Sequence, residues 1–135
     1  MGFTLLELVI VLAIIGLALA IAVPLLTRSV GGAALNAAAS EIRAAANEAH
    51  STAIAEDRTV VFRGDPGGGY WVDRNHFTLP LMNGAPPLRV ATLGGAQISF
   101  FPSGGSSGGR IVVSSGGGER RIAVDTLTGR ADAMR

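Results

Sequence analysis

The chain has 135 residues, a formal net charge of +1 and 48% hydrophobic residues, which is enough for one domain with a modest core. It contains no cysteine, which excludes disulfide staples and thiolate metal sites, and its 19 glycines raise the entropy lost on folding, so docking against partners is expected to contribute to stability. All 11 basic residues are Arg and are unevenly placed: residues 1–57 carry 2 Arg against 5 acids, and residues 58–135 carry 9 Arg against 5 acids, giving −3 in front and +4 behind. A scattered excess of that size reads first as a solvated face and second as a basic surface for nucleic acid or acidic partners.

The chain opens MGFTLLELVIVLAIIGLALAIAVP, with one carboxylate, Glu7, at the mouth of an apolar run. Between Glu7 and Arg28 lie 20 residues without a charge, and at about 1.5 Å per residue such a helix spans the ~30 Å hydrocarbon layer of a bilayer. Pro24 falls near the outer end of this run, where its missing donor and ring clash predict a kink or a melted turn. A secretory signal peptide would have basic residues ahead of a shorter apolar core, and here an acid follows Met1 and Gly2 instead. A plain membrane anchor stays open.

After Gly31-Gly32 comes AALNAAASEIRAAANEAHSTAIAED, whose Leu35, Ile42, Ala46, Ala49 and Ala53 share one face at helical spacing. The small alanine face suits close packing on a sheet, and the pattern resumes so soon after the apolar run that one long, locally weakened helix is expected rather than two. From Arg58 the period shortens to β-rich stretches, TVVFR, YWVD, LRVATL, QISFF, RIVVSS and RRIAVD, separated by turn residues. Asp65-Pro66-Gly67-Gly68-Gly69 and Gly116-Gly117-Gly118 are expected to close hairpins. The predicted fold class is thus α+β, a long N-terminal helix packed on an antiparallel β head.

Thr4-Leu5-Leu6-Glu7 fits a capping box, in which Thr4 closes the first turn and Glu7 reaches back to a free backbone donor. On that reading Glu7 is a cap, favoured further by the helix dipole. The wider context, Gly-Phe-Thr-Leu-Leu-Glu-Leu running into the long apolar stretch and Pro24, resembles the type IV pilin and type II secretion pseudopilin superfamily. The resemblance implies that a prepilin peptidase cuts after Gly2 and methylates the new amine of Phe3. It also implies that Glu7 pairs with the Phe3 amine of a neighbouring subunit, setting the register of a filament. An isolated carboxylate in mid-bilayer costs ~2.5–3.5 kcal/mol on insertion scales, and an opposing amine offsets it. Leu5, Leu8, Val9, Val11, Leu12 and Ile15 are then expected to pack between helices of the filament core. Family leaders carry basic residues ahead of the glycine where this chain has only Met1, so an outward-facing head rests on the resemblance.

Phe-Pro-Ser-Gly-Gly-Ser-Ser-Gly-Gly-Arg at 101–110 and Ile-Ala-Val-Asp-Thr-Leu-Thr-Gly-Arg at 122–130 are similar to the minor pseudopilin H and FimT-type domain. With the N-terminal signature, this divides the chain into a residual leader (1–2), a membrane and filament-core helix (3–28), an amphipathic helix (29–57) and a periplasmic β head (58–135). Gly104 and Gly109 have the spacing of a phosphate loop, but Arg110 and Ile111 replace its Lys and Ser/Thr, and a strand follows where a helix is required. Gly104, Gly105, Gly108 and Gly109 are instead read as a flexible loop that a partner orders. His50 and His76 lie in different elements without a ligand cluster, so no metal, cofactor or catalytic triad is expected. Of Tyr70 and Trp71, which alternate on a strand, one is expected in the core and the other near the surface.

These expectations amount to a non-enzymatic minor pseudopilin of the type II secretion system, held in the bacterial inner membrane with its head in the periplasm until it joins the pseudopilus. Its implied partners are other major and minor pseudopilins, the prepilin peptidase, the inner-membrane assembly platform, inner-membrane lipid and secreted substrates. The alternative is a FimT-like minor type IV pilin aiding pilus assembly or DNA uptake, with nucleic acid met by Arg120, Arg121, Arg130 and Arg135, although Glu119, Asp125 and Asp132 dilute that patch. A membrane-anchored enzyme, resting on two lone histidines, is the third reading.

Overall fold

The computed structural model describes residues 2–80 and 83–134, side chains 25–30 excepted. One helix, α1, runs from Leu5 to Ala55, a length of roughly 75 Å. Thr4 starts it in an extended conformation (φ −82°, ψ 152°), its hydroxyl accepting from the Glu7 N–H at 3.2 Å. The helix stops where Asp57 takes a left-handed φ of 48° and the Arg58 N–H returns to the Ala53 carbonyl at 3.2 Å, which satisfies an end carbonyl that would otherwise lack a partner. Pro24 does not melt a turn: the helix is continuous through it and through Gly31-Gly32.

Eight strands follow: β1 (Val60–Asp65), β2 (Gly69–Val72), β3 (Asn75–Thr78), β4 (Arg89–Leu93), β5 (Ile98–Phe100), β6 (Gly109–Ser115), β7 (Gly118–Val124) and β8 (Ala131–Ala133). They form two antiparallel four-stranded sheets in the orders β3-β2-β1-β5 and β4-β6-β7-β8. The six expected stretches supply six of these strands. β3 and β8 are additions that their sequences, NHFT and ADA, do not announce, because tight turns bring them onto edges. Gly116 and Gly117, at φ 55° and 87°, make the two-residue β6–β7 turn that the right-handed strand twist favours.

The core lies between the second half of α1 and the sheets. Leu35, Ile42, Ala46, Ala49 and Ala53 are all buried, joined by Ala38, and meet Val60, Phe62, Tyr70, Ile98 and Phe100 from one sheet and Val90, Ile111, Val113, Ile122 and Val124 from the other. Alternate residues along each strand supply these side chains, as a sheet with one covered face requires. Tyr70 enters the core, stacked on Phe62 at 5.5 Å, and burial raises its phenol pKa, helped by Glu41 and Glu48. Trp71 stays half-buried on the opposite face, where Arg63 lies 5.4 Å and His76 4.6 Å from its ring.

Candidate functional site

The first half of α1 belongs to a different solvent from the second. Leu5–Pro24 has no buried residue, so a 20-residue helix long and apolar enough to cross a membrane stands clear of the head. Leu5, Leu8, Val9, Val11, Leu12 and Ile15 are all exposed, and so are Leu6, Ile10 and Ile14 on the remaining faces. A helix apolar on every side is built for lipid or for a ring of neighbouring helices rather than for one docking face. Hydrophobic attraction is lost inside lipid, so specificity there has to come from shape and from the one charge present.

That charge is Glu7. Its backbone N–H is used by the Thr4 cap, and Glu7 lines a shallow recess on the helix surface together with Phe3, Leu5, Leu8 and Val11. The structure thus brings Glu7 to the same end of the helix as Phe3, whose side chain is 88% exposed. Gly2 precedes the helix and has open space around it. Cap and register mark are compatible, because the cap uses the main chain of Glu7 and leaves the carboxylate available.

The glycine loop departs from expectation. It is tied down from within the chain rather than waiting for a partner: the Phe101 N–H donates to the Gly105 carbonyl (2.9 Å), the Ser106 N–H to the Thr126 carbonyl (2.9 Å) and the Ser107 N–H to the Ser99 carbonyl (2.8 Å). Ser106 is itself buried, its hydroxyl donating to the Asp125 carbonyl at 2.8 Å and accepting from the Gly108 N–H at 3.0 Å. Gly108 has φ 71° and a Cβ there would lie 2.4 Å from Thr126 Oγ1, so close approach explains this glycine. Gly109 already belongs to β6. His50 joins the same knot: its Nε2 donates to the Gly104 carbonyl at 2.8 Å, a structural bond.

Beyond this loop, the turn at 125–129 is clamped by the Asp125 carboxylate, which accepts from the Leu127 N–H (2.9 Å), the Thr128 N–H (2.7 Å) and the Thr128 hydroxyl (3.1 Å). The Thr128 bonds, with Leu127 adding to them, hold the Asp125 carboxyl below the usual carboxylate range. Leu127 itself is left 88% exposed at the tip of this rigid turn. A second feature that sequence reasoning misses is Asn47. Its amide donates to the Ala131 carbonyl (3.2 Å) and accepts from the Ala131 N–H (3.0 Å), closing the free edge of β8 against the helix. The sequence signals for the two are faint: a polar residue interrupting an alanine-rich face, and a leucine alone among turn formers.

The basic patch is partly spoken for. Arg120 donates to Asn36 Oδ1 and to the Glu119 carbonyl, both at 2.9 Å, and Arg121 pairs with Glu119. Arg135 lies outside the described residues. On the other sheet, His76 Nε2 donates to Asp65 Oδ2 at 2.8 Å. No group of three or more His, Cys, Asp or Glu that would hold a metal ion exists among the described residues.

Residues 38–128, two-thirds of the chain and most of its head, match the family described as type II transport protein GspH. The chain belongs to that family. Its fold is similar to crystal structures of the type IV minor pilin FimU of Pseudomonas aeruginosa in two crystal forms. Each has a TM-score of 0.55 and covers 75% of this chain; the P21 form is 19% identical over 88% of its own length, and the P65 form 20% identical over 93%. At that identity the likeness speaks to fold: a GspH head on a helix whose other half stands free. No curated protein sequence matches the chain.

Proposed function

We propose that this GspH-family chain is a non-enzymatic minor pseudopilin of the type II secretion system. It is anchored in the inner membrane by Leu5–Pro24 with its head in the periplasm, and is recruited with other pseudopilins into the pseudopilus that drives export of folded proteins. The observation that carries the reading is a single unbroken helix whose apolar half is wholly exposed and whose alanine face is packed against a GspH head. Such a helix moves from lipid into a bundle of like helices without unfolding. The one carboxylate of its apolar half, Glu7, then meets the amine that cleavage after Gly2 creates on Phe3 of a neighbour. Partial neutralisation of each charge offsets the cost of holding it away from water.

Mass spectrometry of protein extracted from cells is expected to find residues 1–2 removed and Phe3 methylated. Glu7→Val is expected to stay in the membrane but to fail to enter filaments. Retention of Met1 and Gly2, or incorporation of Glu7→Val at the parental level, refutes the assembly mechanism.

The second reading is a FimT-like minor type IV pilin, favoured by the likeness to FimU, a type IV minor pilin. Deleting the gene separates the two: loss of protein export with pili and DNA uptake intact supports the first, and the reverse supports the second.

A further inference from the structure

The two sheets end in four edge strands, β3, β5, β4 and β8, and three of these are closed from within the chain. Asn47 closes β8. The glycine loop covers β5, through the bridge between Phe100 and Ser106 and the Ser107 N–H on the Ser99 carbonyl. β4 lies against β1, so closely that a Cβ on Gly64 would stand 2.9 Å from the Val90 carbonyl oxygen. β3 is different: among the described residues nothing pairs with its outer side, and all four of its residues are exposed. The Leu79 N–H donates to the Gly68 carbonyl at 3.0 Å, and bonded pairs alternate along an antiparallel ladder. Asn75 and Phe77 therefore direct their backbone groups to β2, while His76 and Thr78 turn theirs outward. With neither Lys, Arg nor Pro between Asn75 and Thr78, this edge lacks the usual guards against pairing with another strand.

On the core side of the same edge, Ala45, Glu48 and Thr52 of α1 and Tyr70, Val72 and Phe77 of the sheet line a recess of about 250 Å³. Phe77, stacked on Tyr70 at 5.2 Å, is left 43% exposed there. The rim is acidic. Asp73 is neutralised by Arg58 at 2.6 Å, whereas Glu48 has no cationic partner among the described residues. The Tyr70 phenol, raised in pKa by burial first, is raised further by Glu41 and Glu48, which marks negative potential at the recess.

We infer that β3 takes an extended segment of a different protein chain as a fifth strand of its sheet. Main-chain bonds to His76 and Thr78 attach the segment. On its core-facing side a small apolar side chain enters the recess beside Phe77, and a Lys or Arg two residues away meets Glu48. A second copy of this chain does not fit that description, because its own β3, Asn-His-Phe-Thr, brings no Lys or Arg to Glu48. The pairing joins unlike chains, so it does not propagate among copies. The inference stands on the head alone and is independent of Glu7 and of export.

The test uses the full chain in detergent micelles and, as probe, the end-blocked peptide Thr-Lys-Thr-Val-Thr-Lys-Thr, which places its valine and both lysines on one face of a strand. Binding is expected to slow hydrogen exchange at the His76 and Thr78 amides and to leave that of Phe77, already bonded to β2, unchanged. Replacing the peptide's lysines by glutamates is expected to weaken binding about tenfold, and Glu48→Arg to reverse that preference. Thr78→Pro removes an outward N–H from an edge strand and leaves the ladder to β2 whole, so it is expected to weaken binding about tenfold while the melting temperature stays near that of the parent. A probe methylated at every backbone nitrogen reads the same dependence on the unaltered chain and is expected not to bind.

Equal binding of the methylated peptide, indifference to the sign of the peptide's charge, and protection that is uniform across residues 75–78 or absent each overturn the inference. So does a dimer of the chain in sedimentation that Thr78→Pro dissolves, which would make a second copy the occupant of the edge.

Discussion

Asn47→Ala isolates a single pair of bonds between the helix and the second sheet. Ala131 is 1% exposed and β8 is an edge strand, so its N–H and carbonyl on the side away from β7 depend on the Asn47 amide, at 3.0 Å and 3.2 Å. Each hydrogen bond contributes about 0.5–1.5 kcal/mol net, and a buried polar group left without a partner costs about 1–3 kcal/mol. Water reaching the edge recovers part of this, giving an expected loss of about 2–4 kcal/mol. For a head of roughly 100 residues, that lowers the melting temperature by about 10–25 °C. The chain has one tryptophan, Trp71, on the other sheet, so its fluorescence reports unfolding of the whole head in detergent micelles. Asn47→Asp is expected to be at least as damaging, because a carboxylate would face the Ala131 carbonyl. Hydrogen exchange at the Ala131 amide is expected to rise in both variants. A melting temperature within about 3 °C of the parent for Asn47→Ala would show that water satisfies the edge and that the clamp contributes little.

Phe62→Ala, at a fully buried position stacked on Tyr70, is expected to cost about 3–5 kcal/mol in urea unfolding. Gly129→Ala combines a φ of 67° with a Cβ 2.4 Å from His50 Cδ2 and 2.6 Å from the Gly104 carbonyl oxygen, so thermal melting is expected to show a loss exceeding that of an exposed alanine elsewhere in the head. Acid is expected to destabilise the head. Asp65 is held low by the Gly67 N–H first and His76 second, and Asp125 by the Thr128 and Leu127 bonds. Burial alone would raise Asp73, but the Val61 N–H and Arg58 outweigh it. Each carboxyl lies below the ordinary 3.8, so its contribution is present above that value and is lost as pH falls through the lower folded value; urea midpoints measured from about pH 6 to about pH 2 should drop mainly below about pH 4.

What is legible in the sequence is what periodicity controls. The alanine face with Leu35 and Ile42, the alternating strands, and the two glycine turns depend on local spacing, and each lies where its spacing places it. What stays hidden depends on long-range pairing. Asn47 and Ala131 are 84 residues apart, His50 and Gly104 54 apart, and no local pattern joins them. The glycine loop is opaque for the same reason: glycines that signal mobility in an isolated segment here permit close approach to the 125–129 turn, which immobilises them. Pro24 is a helix breaker on propensity alone, yet the helix continues through it.

The unbroken helix has a mechanical consequence. Its packed half is fixed to both sheets through Ile42, Ala46 and Ala49, so rotation of Glu7 about the helix axis is transmitted to the head rather than absorbed at a joint. On the proposed assembly, a charge pair at Glu7 sets the azimuth of the head as well as its height, so the head meets its neighbours in one register only. Inserting one alanine between Gly31 and Gly32 tests this. It advances the head by about 1.5 Å but turns it by about 100°, so the membrane helix and Glu7 remain intact while a different face of the head is turned to its neighbours. The insertion is expected to exclude the chain from filaments as Glu7→Val does, whereas four alanines, returning the azimuth to within about 40°, are expected to restore part of the incorporation. Equal incorporation of both insertions would mean that the helix yields at Gly31-Gly32 and that Glu7 governs height alone.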